Sequence, residues 1–372
     1  MKARRLSQIL CILLLLTISA CTLPEVTPPV IETQAPTSSF DITPETITPS
    51  ETALQNAVVI TAGNLNALVV TAKVPVASPQ LLQWSNDSQT LAVVNQTSDA
   101  SGNQLFGVTT LTSPSLAPKY VYSVQGARIS AVAADGRTAA VIAQDQMSYS
   151  LVDLGANNTV ILTNTPGFRI GYVTFSPDLK YTAVTQAEMW EVVLYNFVNG
   201  AEVRRLTGFE TAAPVFDAGF SASPQWIIWH ARATAQLQEV ESGTMSTSFS
   251  HEDFLSAFTL SPDGTILATA AGKTVNGTFS PAVTLWDVTS GVEMNTIILP
   301  STANALSFSP DGKLLAVAED KDLQLWRVSD GVLIATFSEH LDSIALVKFS
   351  PDGKAIATAG YDNQLYLWQV LQ

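Results

Sequence analysis

Cysteine is almost absent from this chain: two residues in 372, and one of them, Cys11, lies in an apolar N-terminal run, 9–18, behind Lys2, Arg4 and Arg5. The run is too short to span a bilayer as a mature helix and has the layout of a cleaved signal peptide. Cys21 is then the one cysteine left, and a secreted chain with a single cysteine forms no intramolecular disulfide. Histidine is nearly as scarce. His230, His251 and His340 are scattered without a cysteine partner and give no metal-ligand cluster. Cations are few, 18 Lys and Arg against 32 Asp and Glu, for a formal charge of −14; losing the leader's cations takes it three units further. That balance, with no basic run, argues against nucleic acid as a partner and against direct adhesion to anionic headgroups. Charged residues make up only 13% of the chain, so the surface is drawn largely from Ser, Thr, Asn and Gln. Sustained helical spacing is missing after residue 50, as are a phosphate-cradling glycine loop and a nucleophile elbow. No cofactor and no metal are expected.

What the sequence does have is repetition. Phe308-Ser-Pro-Asp-Gly-Lys returns as Phe349-Ser-Pro-Asp-Gly-Lys, and each block is followed by an apolar run and then an alternating run ending in Leu-Trp, at Leu325-Trp326 and Leu367-Trp368. Intact or relic copies also begin at Trp84, Val132, Phe175, Phe220 and Leu260, making seven, spaced 40 to 48 residues apart. A second marker keeps the same phase: Asn199-Gly200, Ser242-Gly243, Ser290-Gly291 and Asp330-Gly331 read as tight turns between a third and a fourth strand. Four short strands and their turns fill such a period. A four-stranded sheet has two faces to bury, and radial stacking buries both. In period, turn block and Leu-Trp endings the chain resembles the WD40 family of β-propellers. The expected fold is all-β, a seven-bladed propeller. Its last repeat stops after a third strand at Gln372, so the spare run 67–72 is expected to complete that blade and close the ring.

Three segments follow: a leader at 1–20, a linker at 21–55 and the propeller at 56–372. The linker holds Pro24, Pro28, Pro29, Pro36, Pro44 and Pro49 among Thr, Ser and Glu, a composition that cannot bury a core and favours an extended chain. Ile18-Ser19-Ala20-Cys21 resembles the lipobox of bacterial lipoproteins, which implies acylation of Cys21 and a lipid anchor, with the protein facing the extracytoplasmic side of a cell or outer membrane.

The resemblance also assigns residues. In WD40 repeats a His, a Ser or Thr on the second strand, an Asp six residues before the Trp, and the Trp itself form a hydrogen-bonded set. The last repeat matches with His340, Thr358, Asp362 and Trp368. Repeat five has His251, Thr269 and Trp286, but the insertion 271–281 removes the Asp; repeat six keeps Asp320 and Trp326 without the His. These are read as a structural network rather than a catalytic dyad, and Asp178, Asp263, Asp311 and Asp352 as turn residues rather than a calcium ring. Loops bearing the His and Asp positions share one face of the disc in the family. That places Tyr361, Glu319, Phe254, Trp190, Glu188 and Phe279 on a candidate partner-binding face. Most WD40 proteins are interaction platforms, so the implied function is non-catalytic binding of an envelope or extracellular protein by a monomer. The alternatives are a propeller enzyme (lactonase, lyase or quinoprotein-like) and a small-molecule sensor.

Overall fold

Each of the seven repeat markers is the last residue of a strand. Trp84, Val132, Phe175, Phe220, Leu260, Phe308 and Phe349 close the first strands of seven antiparallel sheets. A computed structural model describes residues 57–187, 191–207, 217–221, 225–231 and 233–371, less the side chains of Asp217, His230, Ala231 and Ser246. Six blades, at 79–125, 127–164, 170–206, 217–250, 257–298 and 303–337, are four-strand meanders. The seventh takes Ile344–Phe349, Ala355–Gly360 and Gln364–Leu371 from the C-terminus and its remaining strand from the N-terminus.

The closing strand is Leu68–Pro75 rather than 67–72. It runs antiparallel to Gln364–Leu371, from Leu68 opposite Val370 to Pro75 opposite Gln364, with an irregularity at Thr71. That irregularity turns Thr71 inward, fully buried, with its Oγ1 2.9 Å from Gln369 Oε1. A second N-terminal piece was not foreseen. Ala57–Val58 also pairs with the end of Gln364–Leu371, and the Ile60 N–H donates to the Gly353 carbonyl at 2.9 Å.

The strands form for the reason the pattern gives. In Leu314–Glu319 and Ala355–Gly360 every residue is buried, because a second strand has a neighbouring blade on both faces. The fourth strands are edges and are more open: Val332 and Leu333 are exposed while Ile334 and Ala335 are half-buried. Core clusters link blades six and seven through Leu314 and Trp368, seven and one through Leu91 and Leu367, and two and three through Leu151 and Val193. Others link three and four through Leu194 and Trp229, four and five through Leu237 and Leu267, and five and six through Leu285 and Leu315. Blades one and two meet at a turn: Asn86 N–H donates to the Ala134 carbonyl at 2.8 Å, and a Cβ on Gly136 would fall 2.2 Å from Thr90 Oγ1. The ring is therefore continuous.

The Pro-Asp-Gly blocks are turns held by their own side chains. Ser309 Oγ donates to Asp311 Oδ1 at 2.7 Å and accepts from Leu314 N at 2.9 Å; Asp311 Oδ1 accepts from Lys313 N at 3.1 Å. Ser350 and Asp352 repeat this, as do Ser261 with Asp263, Ser176 with Asp178 and Ser85 with Asp87. The Ser85 and Ser261 hydroxyls hold Asp87 and Asp263 below the usual carboxylate range. Gly312 and Gly353 take φ of 69° and 72°; in the relic turns Ser88 and Leu179 adopt the same left-handed backbone, at 59° and 57°.

Candidate interaction face

In an antiparallel meander, the first-to-second and third-to-fourth connections lie at one end and all others at the opposite end. The Pro-Asp-Gly and Asn-Gly-type turns thus share one face of the ring, and the loops bearing His251, His340 and Asp362 share the other. On that second face the last blade brings all four expected residues together. Trp368 Nε1 donates to Thr358 Oγ1 at 2.8 Å, the Thr358 hydroxyl donates to His340 Nε2 at 2.7 Å, and His340 Nδ1 donates to Asp362 Oδ2 at 2.9 Å. This direction of donation requires a neutral imidazole protonated on Nδ1. Asp362 also accepts from Leu341 N and Gln364 N, each at 3.1 Å, so it fixes both loops. Tyr366 stacks on the ring with centroids 4.2 Å apart. The His340 and Asp362 side chains are 0% and 4% exposed. Burial pushes His340 below the ordinary imidazole range, although Asp362 pulls it back up. A base sealed from solvent, with both nitrogens engaged, is built to hold loops, not to reach a substrate.

Blade five solves the same problem without the carboxylate. Trp286 Nε1 donates to Thr269 Oγ1 at 2.8 Å, and His251 Nε2 lies 2.8 Å from the same oxygen. His251 Nδ1 turns to the Ala233 carbonyl at 3.1 Å, so a backbone oxygen from blade four stands where an Asp would. The insertion is a continuation of two strands, Ile266–Val275 paired with Thr278–Asp287 through a two-residue turn at Asn276-Gly277, both residues at positive φ.

Two expectations need correction in blade six. Asp320 and Trp326 do not belong to one network. Trp326 Nε1 donates to Gln324 Oε1 at 2.9 Å, while Asp320 Oδ1 accepts from the Ser343 hydroxyl of the next loop at 2.9 Å. By repeat position, Leu299 and Val317 stand where blade seven has His340 and Thr358, and both are buried in one apolar cluster. Glu319, expected on the partner face, is only 5% exposed. It accepts from Gln324 Nε2 at 2.9 Å and from the Ser301 hydroxyl, and so completes the polar chain that begins at Trp326.

The other face candidates divide. Tyr361, Phe254 and Phe279 are 57%, 57% and 56% exposed. Phe279 also covers Gly272 of the paired strand, where a Cβ would meet its ring at 2.2 Å. Glu188 and Trp190 lie outside the described residues, as do Cys21 and the leader and linker; His230 is on Trp226–Ala231, its side chain undescribed. Sequence reasoning missed Leu341, at 86% the most exposed large apolar residue among the described residues. The available signal was an apolar residue directly after His340, between Glu339 and Asp342, in a loop. Among the described residues, no group of three or more His, Cys, Asp and Glu is placed to hold a metal ion.

The WD40 family profile (WD domain, G-beta repeat) matches residues 296–327 and 331–369. The chain carries WD40 repeats. The matched units are staggered from the blades by one strand: the first runs from Glu293–Ile298, the edge of blade five, through three strands of blade six. That stagger is why the last unit ends at a third strand and an N-terminal strand closes the ring. An uncharacterized WD repeat-containing protein of Synechocystis is 24% identical over 229 residues, 60% of this chain and 51% of that one. Autophagy-related protein 16 of Arabidopsis thaliana is 31% identical over 90 residues, 24% of this chain and 18% of that one. The chain thus spans about half the length of the first and less than a fifth of the second.

Proposed function

We propose that this chain is a non-catalytic, lipid-anchored WD40 propeller that displays a protein-binding face outside the cytoplasmic membrane. One observation carries the binding reading: on the His-bearing face Phe254, Leu341 and Tyr361 in loops and Phe279 at the tip of a hairpin stand exposed, beside His251 and His340, whose rings are engaged internally. Exposed large apolar side chains on rigid loops have the properties of interface anchors. The buried His340–Asp362 pair speaks against a dyad at this place. The anchor and the envelope location are supported by the Ile18-to-Cys21 motif and the proline-rich stretch behind it, a spacer between membrane and ring.

Two experiments test this. Cys21→Ser should move the protein from the membrane to the soluble fraction; retention in the membrane would end the lipid-anchor reading. Capture of envelope proteins by the immobilised chain should fall in Phe254→Ala, Tyr361→Ala and Trp190→Ala at unchanged melting temperature. Undiminished capture by all three would move the site to the opposite face or the sides.

A further inference from the structure

We propose that the segment recognised by this face is cationic and amphipathic, with Lys or Arg residues interspersed among aliphatic or aromatic ones. The inference rests on the reading of this face as a protein-binding site and assigns the partner's chemistry. Two pairs of apolar anchors carry it. Phe254 and Phe279 stand on blade five, and Leu341 and Tyr361 on blade seven. Each pair is fixed by hydrogen bonds between its own loops. Thr274 N donates to Glu252 Oε2 at 3.0 Å, tying the loop of Phe254 to the hairpin of Phe279. Leu341 N donates to Asp362, and Tyr361 N to the Ser343 carbonyl at 2.9 Å. Between the pairs, the Asp320 carbonyl accepts from Ile344 N at 2.7 Å, locking the blade-six loop to blade seven. A ready-made surface loses little entropy on binding.

Charge then selects the occupant. On this face of blades five to seven Glu252, Asp253, Asp320, Glu339 and Asp342 are exposed, against Lys321 as the one exposed cation among the described residues there. Two further cations lie on strands near this face and are half-buried, Lys73 on the closing strand and Lys273, which is bonded to Glu293. The contrast with the opposite face of the same blades is informative. There the exposed Lys313 and Lys354 stand in the same turns as Asp311 and Asp352, so acid and base are mixed. In a chain with so few charges, this concentration of acid around apolar anchors repels acidic segments and steers basic ones.

The test is fluorescence anisotropy of the full chain with three labelled twelve-residue peptides. The first holds Lys, Leu and Ser in equal number, the second replaces Lys with Glu, and the third replaces Leu with Ser. The first should bind at least about tenfold more tightly than the others. Glu339→Gln with Asp342→Asn should weaken it about five- to tenfold, and Asp330→Asn with Glu241→Gln, on the turn face, less than about twofold. Equal losses in the two charge variants would reduce the effect to net-charge attraction and overturn the proposal. So would comparable binding of either control peptide, or no binding of the first at about 1 mM. Leu341→Ser and Phe254→Ser separate the two readings. If the acidic peptide binds and either variant abolishes that binding, the face is a binding site and the charge assignment fails. If neither variant alters the binding of a peptide that does bind, the face itself is wrong and both readings fall.

Discussion

Blades five and seven place the same three side chains in the same arrangement and differ in one partner. In blade seven His340 Nδ1 meets a buried carboxylate, and in blade five His251 Nδ1 meets a backbone carbonyl. Blade six goes further and replaces the His and Thr by Leu299 and Val317, leaving its Trp to bond Gln324. The hydrogen-bonded set is therefore one of several ways to fill the space between a loop and a second strand. What each solution preserves is satisfaction: buried donors find acceptors, or both sides become apolar. The carboxylate adds a bond to the Leu341 and Gln364 backbones, so blade seven's version also fixes loops that carry face residues.

The largest expected effect separates the two histidines. His340→Ala leaves a carboxylate that is 4% exposed, and the Thr358 hydroxyl, without a principal partner. The cost should be about 3 kcal/mol. His251→Ala leaves Thr269 and a carbonyl that still accepts from His251 N at 2.8 Å, for about 1–2 kcal/mol. Urea midpoints of the two variants measure the gap, and equal shifts would mean the carboxylate adds nothing to stability. Asp362→Asn should fall between them, since an amide NH2 must face the N–H of either Leu341 or Gln364; about 2–3 kcal/mol is expected.

Blade seven's set could be read from the sequence because His340, Thr358, Asp362 and Trp368 stand at the spacings that the resemblance to WD40 repeats implies. Ala233 could not be read in the same way. A backbone carbonyl has no residue type, and any sequence would supply one there. Glu319 was misplaced for a related reason. Its burial depends on Ser301 and Gln324, which meet it only when the fold brings a preceding loop to the sheet. The closing strand was legible as a spare apolar run, but not its bounds, because the irregularity at Thr71 shifts the register within it. The seven blades themselves were legible because their turns need Gly or a short polar residue; Leu179 shows the fold imposing the turn on a residue that does not ask for it.

Acidity should sharpen the comparison further. Both imidazoles are held below their ordinary range by burial; Asp362 pulls His340 back up, whereas Lys273 pushes His251 down further despite the Ala233 carbonyl. A base whose folded pKa is depressed binds fewer protons folded than unfolded. Its contribution is therefore intact above the unfolded value, about 6.5, and declines as pH falls from there toward the folded value. Stability should drop between about pH 7 and 5, by at most about 1.4 kcal/mol per pH unit for each imidazole. His251→Ala should flatten that drop more than His340→Ala, because no carboxylate offsets burial in blade five. The check is the urea midpoint at half-unit steps of pH, and the reverse order would show that Asp362 does not raise its imidazole.

The smallest effect is expected one residue from one of the larger ones. Tyr361 and Asp362 are adjacent in a turn, yet Tyr361 is 57% exposed and the Asp362 side chain 4%. Tyr361→Ala removes a ring that stands outside the core, while the Tyr361 N–H keeps its bond to the Ser343 carbonyl because that bond is made by the backbone. Its stability change should stay within about 0.5 kcal/mol. Binding should respond in the opposite proportion. Truncating an exposed aromatic anchor removes buried area only in the complex, so Tyr361→Ala should weaken partner capture at an unchanged urea midpoint. Asp362→Asn should lower the midpoint and weaken capture only as far as its loops loosen. Measuring both quantities on both variants assigns each residue to scaffold or surface. A Tyr361→Ala protein that is destabilised by more than about 1 kcal/mol and captures normally would place this ring in the fold and remove it from the binding face.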